Sequence, residues 1–198
     1  MLFTHDTEVA LQGAVDLVNT LDPTDGTDAL ATREQLGEFV SRWGWSGQIR
    51  CDETELEQVR ALRPLFREVW RRDEQGVVDL VNRMLADNRA QPRLVRHDQW
   101  DWHLHATPDD APLATRMAVE FAMAMVDLVR AGELGRLGVC GADDCEDVLV
   151  DLTRNRSRRF CSTTCGNRVA AAAYRERQTA GAHGADGAAG ADGDATDA

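Results

Sequence analysis

The sequence contains no lysine: all 22 basic residues are arginine. With its many Ala and Asp residues this is compositional bias, and it excludes no class of function. The chain also lacks any run of 18 or more uncharged apolar residues, so no membrane-spanning helix is expected. Residues 1–10 carry Asp6 and Glu8 and have no basic stretch followed by an apolar one. A secretory leader is therefore not expected, and a cytoplasmic location is. Enzyme signatures are missing too. There is no Gly-rich phosphate loop, no Gly-x-Ser-x-Gly and no His-Glu-x-x-His helix, so catalysis is not expected.

What is present fits one or two small domains. The length of 198 residues rules out a large multi-domain enzyme, and an apolar fraction of 43 % is enough for a real core. Charge is unevenly spread. Residues 1–138 carry net −9 and residues 139–153 net −5, whereas residues 154–177 hold seven Arg against Glu176 alone, net +6. Residues 178–198 return to net −4. An acidic chain, −12 overall, is by default a poor nucleic-acid binder, but a compact basic island is the footprint that holds phosphate.

Of five cysteines, four fall within 26 residues, as Cys140-x4-Cys145-x15-Cys161-x3-Cys165. Two close pairs separated by about 15 residues suit one tetrahedral four-thiolate Zn2+ site, each pair on its own tight turn. Four thiolates close the coordination sphere and leave no position for a water nucleophile. Two disulfides are the rival reading, better suited to secreted chains. Cys51 stands apart and reads as a small buried hydrophobe.

Periodicity predicts a helix over 8–21, and a second opened by the capping box Thr32-x-x-Gln35 and closed by Gly44. A third opens at Asp52 and is kinked or broken near Leu62–Arg63 by Pro64, and a fourth covers about 77–86. In 99–106, Trp100, Trp102, Leu104 and Ala106 alternate with Asp101, His103 and His105. This predicts a strand with the tryptophan face buried, paired with 93–97. His103-x-His105 could also hold a metal from one face of that strand. A long helix over 113–131 is apolar around most of its surface and should be central. Val148–Asp151 reads as a short strand and Gly166–Arg177 as a helix. Residues 179–198, rich in Gly, Ala and Asp, read as a disordered acidic tail.

The run Cys165-Gly166-Asn167-Arg168 resembles the CGNR zinc-finger family. The upstream Cys pair, the stretch Asp151–Phe160 and the Arg-ending helix share the resemblance. Val15–Thr20, Trp100–His103 and the helix running into Cys140 are similar to the ABATE domain that accompanies such fingers. The resemblance implies a stress-induced transcription regulator that binds DNA through its finger, with an N-terminal part that senses a ligand or mediates assembly. The expected fold is mainly α with a small β hairpin and a C-terminal treble-clef-like four-cysteine finger. Its parts are 1–135, 136–178 and a tail over 179–198.

On this reading Cys140, Cys145, Cys161 and Cys165 hold one structural zinc ion. Arg154, Arg156, Arg158, Arg159, Arg175 and Arg177 meet phosphates, and Tyr174 stacks or donates to one. Asn167 and Arg168 either reach a base edge or bond the finger's own carbonyls. Asn19, Trp100, Trp102 and His103 are candidates for an effector pocket, although the tryptophans are expected first of all in the core. The expected partners are DNA, a small-molecule effector and a second copy of the chain, since a homodimer would suit a palindromic operator. The rival readings are a protein-interaction module with purely structural zinc and a zinc-thiolate redox switch.

Overall fold

A computed structural model describes residues 3–96 and 102–186, with side chains as far as Gln178. The chain forms two compact units, residues 1–161 and 162–198.

The first unit is built around α6 (Leu113–Arg130), which buries Met117, Phe121, Ala122, Met125 and Leu128. Against it pack α1 (His5–Asn19), α3 (Glu53–Arg60) and α5 (Glu74–Asp87). Helix α1 starts three residues earlier than its apolar pattern predicts, with Asp6 and Glu8 in its first turn, where acids favour a helix N-terminus. The α2 helix (Arg33–Trp43) carries the predicted capping box, and Gly44 closes it at φ 65°, a left-handed conformation that glycine adopts without strain. Asp52 caps α3 by accepting from the Glu55 N–H. The expected break falls at Ala61, so Pro64 sits in the first turn of α4 (Leu62–Arg67), where its missing N–H costs little. Beyond α4 a 3-10 turn positions Trp70, whose ring stacks on Phe121 at 6.2 Å; Phe66 lies 4.4 Å from the same ring.

Two antiparallel hairpins complete this unit. In the first, β1 (Arg93–Val95) pairs with β2 (His103–His105) in the register Leu94↔Leu104. The predicted pairing is present, but its faces are reversed. Trp102 is 62 % exposed, with the Arg96 guanidinium 5.3 Å above its ring, and Leu104 is 41 % exposed, while His103 and His105 are half-buried. Trp100 lies outside the described residues. In the second hairpin, β3 (Leu137–Val139) pairs with β4 (Val148–Val150), whose residues are all buried; Val148 and Val150 belong to the main core.

The second unit contains α7 (Thr163–Asp186), which runs eight residues into the segment that composition assigned to the tail. Its alanines are the strongest helix formers and extend the helix past Arg177. Among the described residues, no helix is long and apolar enough to cross a membrane.

Candidate metal centre

The cysteines are brought together by local chemistry. Cys140 directly follows β3, and its N–H donates to Asp147 O at 2.8 Å, extending the β3–β4 ladder by one step. The intervening chain turns back through a bond from Cys145 N to Ala142 O. Gly141 donates to Arg159 O at 2.8 Å. A Cβ on Gly141 would lie only 3.1 Å from that oxygen, so this close approach favours glycine. Phe160 flanks the same glycine, its ring edge 3.7 Å from that Cβ position. Cys161 follows, and its N–H donates to Cys140 Sγ at 3.4 Å. Cys165 occupies the first turn of α7, where Ser162 Oγ accepts from its N–H. A helix N-terminus favours a thiolate there.

All four sulfurs lie within 4.8 Å of one another, and every cysteine is a free thiol. Cys145 and Cys161 sulfurs are 3.7 Å apart. Zn–S bonds of about 2.3 Å in a tetrahedron separate sulfurs by about 3.8 Å, so the donor set and its spacing fit zinc. Burial opposes ionisation of Cys140, but the N–H groups of Cys161 and Ala142 outweigh it and hold the thiol below its ordinary value. Burial pushes Cys145 up to about 11. A bound dication supplies the charge that keeps all four deprotonated. Among the described residues no other group of three or more ligand atoms is close enough for a metal; His103 and His105 do not complete one.

The connector from β4 to Cys161 is ordered by two buried groups. Asp151 accepts from Thr153 N, Thr153 Oγ1 and Arg158 N, at 2.8, 2.5 and 2.7 Å. Burial pushes its carboxyl up, but these bonds hold it below the usual range. Arg136 pairs with Glu133 at 2.7 Å and donates to the carbonyls of Asp151 and Thr153. Glu133 also receives Arg156, a residue at φ 50°.

The arginine island divides by what each side chain touches. Arg158 donates to the carbonyls of Phe160 and Cys161, and Arg168 reaches Cys165 Sγ at 3.5 Å. Arg159 lies over the Phe160 ring at 5.9 Å and is exposed, as are Arg154, Asn167, Arg175 and Arg177. Tyr174 is 57 % exposed and accepts from Gln178.

The pocket candidates do not converge. Asn19, the last residue of α1, gives its whole amide to the backbone of Val148: Nδ2 donates to its carbonyl at 2.8 Å and Oδ1 accepts from its N–H at 2.9 Å. Trp70 Nε1 donates to Leu149 O and Arg67 to Glu146 O, so three side chains of the helical part grip the strand and loop beside Cys145. Trp100 lies outside the described residues; of the other candidates, His103 lines a cavity together with Asp6, Trp43, Trp45, His105 and Glu120. Sequence reasoning missed Glu120; the available signal was an acid flanked on both sides by apolar residues in the middle of α6.

Comparison with known families divides the chain earlier than the two compact units do. Residues 136–178 match the CGNR zinc finger, and residues 12–132, more than half of the chain, match the ABATE family. A search of curated proteins gave no match. The chain belongs to the ABATE family, described as "Putative stress-induced transcription regulator", and carries a CGNR zinc finger after that domain.

Proposed function

We propose that this protein is a cytoplasmic, zinc-dependent, DNA-binding transcription regulator whose finger supplies the DNA contacts and whose helical domain senses a small ligand. The observation that carries the reading is the set of exposed guanidiniums borne by a zinc-fixed scaffold. Arg154, Arg159, Arg175 and Arg177 are all exposed. Their task is to meet phosphates, which position a protein on duplex DNA. Arg158 and Arg168 spend donors on the finger's own carbonyls and sulfur, so their role is to hold its shape. Asn167 is exposed in the first turns of α7, which supports a role for it at a base edge. The grip of Asn19, Trp70 and Arg67 on 146–149 gives the helical domain a direct hold on the hairpin that carries Cys140.

The test is fluorescence anisotropy of the zinc-loaded chain with a pool of genomic DNA fragments. Wild type should bind, and Arg154→Ala/Arg159→Ala/Arg177→Ala should lose most of that affinity while keeping its zinc. Unchanged affinity in this variant, or no binding above that of a nonspecific basic peptide, would sink the DNA role.

A further inference from the structure

The first unit holds a cavity that the finger does not use. One lobe, of about 80 Å3, lies between α1, the chain after α2, β2 and α6, and a second of about 70 Å3 adjoins it. The lobes share Asp6, His103, His105 and Glu120. At about 10–15 Å3 per water the first lobe alone admits a molecule of roughly five to eight non-hydrogen atoms.

Its chemistry leans acidic. Asp6, Glu120 and, in the second lobe, Asp127 bring three carboxyl groups, facing two imidazoles and the unpartnered Trp45 Nε1, and among the described lining residues neither lobe has an arginine. Trp43 and Trp45 supply aromatic wall. Trp43 is fixed there because its Nε1 donates to Asp16 at 2.9 Å and its ring lies against Gly13, where a Cβ would sit 3.4 Å away. The two imidazoles on β2 bring their Nε2 atoms to 3.1 Å, in contact with each other.

Glu120 is the anomaly. It is half-buried on the mostly apolar α6, and no described residue hydrogen-bonds its carboxyl. Arg116, whose charge acts on it, is committed to the carbonyls of Ala111, Ser46 and Gln48. Desolvation raises the carboxyl to about 7, against the pull of Arg116 and with a push from Asp6. An unpartnered carboxyl costs free energy wherever it is kept from water, unless something brings it a donor.

We propose that this cavity is the effector site of the helical domain and takes a small organic cation, an alkyl or aryl ammonium. The ammonium would donate to Glu120 and Asp6 while the apolar part lies against Trp43 and Trp45. Carboxylates beside tryptophan faces suit such a cation, since the ring quadrupole adds to the charge attraction. An anionic ligand would meet the carboxyls of Asp6, Glu120 and Asp127 and, among the described lining residues, no guanidinium. The proposal rests on the reading of this domain as the sensing part, but its test contains no DNA, so either idea can fail alone.

The probe is n-butylammonium, titrated into the zinc-replete full chain and read by tryptophan fluorescence and saturation-transfer NMR, with 1-butanol and butyrate as controls. Saturable binding is expected for n-butylammonium only, weakened at least about tenfold in Glu120→Gln, as for loss of a charged hydrogen bond. Asp6→Asn should weaken it less. Glu120→Gln removes a desolvated charge and is expected to fold, which circular dichroism checks. The proposal is overturned if 1-butanol binds as well as the amine, or if folded Glu120→Gln binds it unchanged. It is also overturned if Ni2+ saturates the site in a Glu120-dependent way and the amine does not, which would make this a metal site.

Discussion

Replacing Asn19 by alanine tests the hold of the helical domain on the zinc hairpin. The substitution removes both bonds to Val148, at 2.8 and 2.9 Å, while Val148 itself is only 1 % exposed. Each buried backbone group left without a partner costs about 1–3 kcal/mol. Alanine's better helix propensity at the end of α1 returns about 0.5 kcal/mol. Because Asn19 is half-buried, water can partly replace its amide. A net loss of about 2–3 kcal/mol follows, which in urea, at roughly 2 kcal/mol per M, lowers the midpoint by about 1 M. Asn19→Asp should cost at least as much, since it keeps the acceptor but sets a carboxylate against the Val148 carbonyl. The assay is urea unfolding of the zinc-loaded chain, followed in parallel by zinc release to a chromogenic chelator. Zinc should leave Asn19→Ala faster than wild type, because Cys140 extends the same hairpin. A midpoint shift below about 0.2 M with unchanged zinc release would refute the argument.

Further predictions concern other buried groups. Metal analysis should find one zinc per chain, and Cys161→Ser should lose it. Structural zinc contributes on the order of 10 kcal/mol to folding small fingers, so circular dichroism should then show lost α7 helicity. Arg136→Met should destabilise by about 3 kcal/mol, because Glu133 and two carbonyls lose a buried cation; a change within 0.5 kcal/mol would contradict this. Glu120 gives a pH signature. Its folded-state value of about 7 stands above its ordinary 4.5, so its contribution is whole below pH 4.5 and lost as pH rises through 7. Glu120→Gln should therefore be more stable than wild type at pH 8 by roughly 1–3 kcal/mol, with the difference gone at pH 4; parallel stability curves would refute it.

Much of this arrangement was legible in the residues. Thr32 and Gln35 announce a cap, Gly44 a stop and Asp52 a start, because these signals act within one helical turn. The four cysteines declare a metal site because ligand spacing is chemistry and survives without a fold. The alternation in 99–106 specified a strand, but a period of two cannot say which face is inward. The structure turns His103 and His105 toward the cavity that Glu120 lines, and leaves Trp102 exposed with Arg96 over its ring. Asn19 was singled out by resemblance alone. Its partner lies 129 residues away, and a side-chain amide that serves a distant strand leaves no local pattern. Pro64 marked a break to within a residue or two, since the ring restricts the chain just before it.

The central claim, DNA contact through the finger's exposed arginines, is most directly tested by the salt dependence of binding. If about five phosphates are neutralised, log K should fall against log salt with a slope of about −4 to −5. In Arg154→Ala/Arg159→Ala/Arg177→Ala the slope should shallow by about 2.7, three contacts' worth. A slope that is flat in wild type, or unchanged in the variant, would contradict the account.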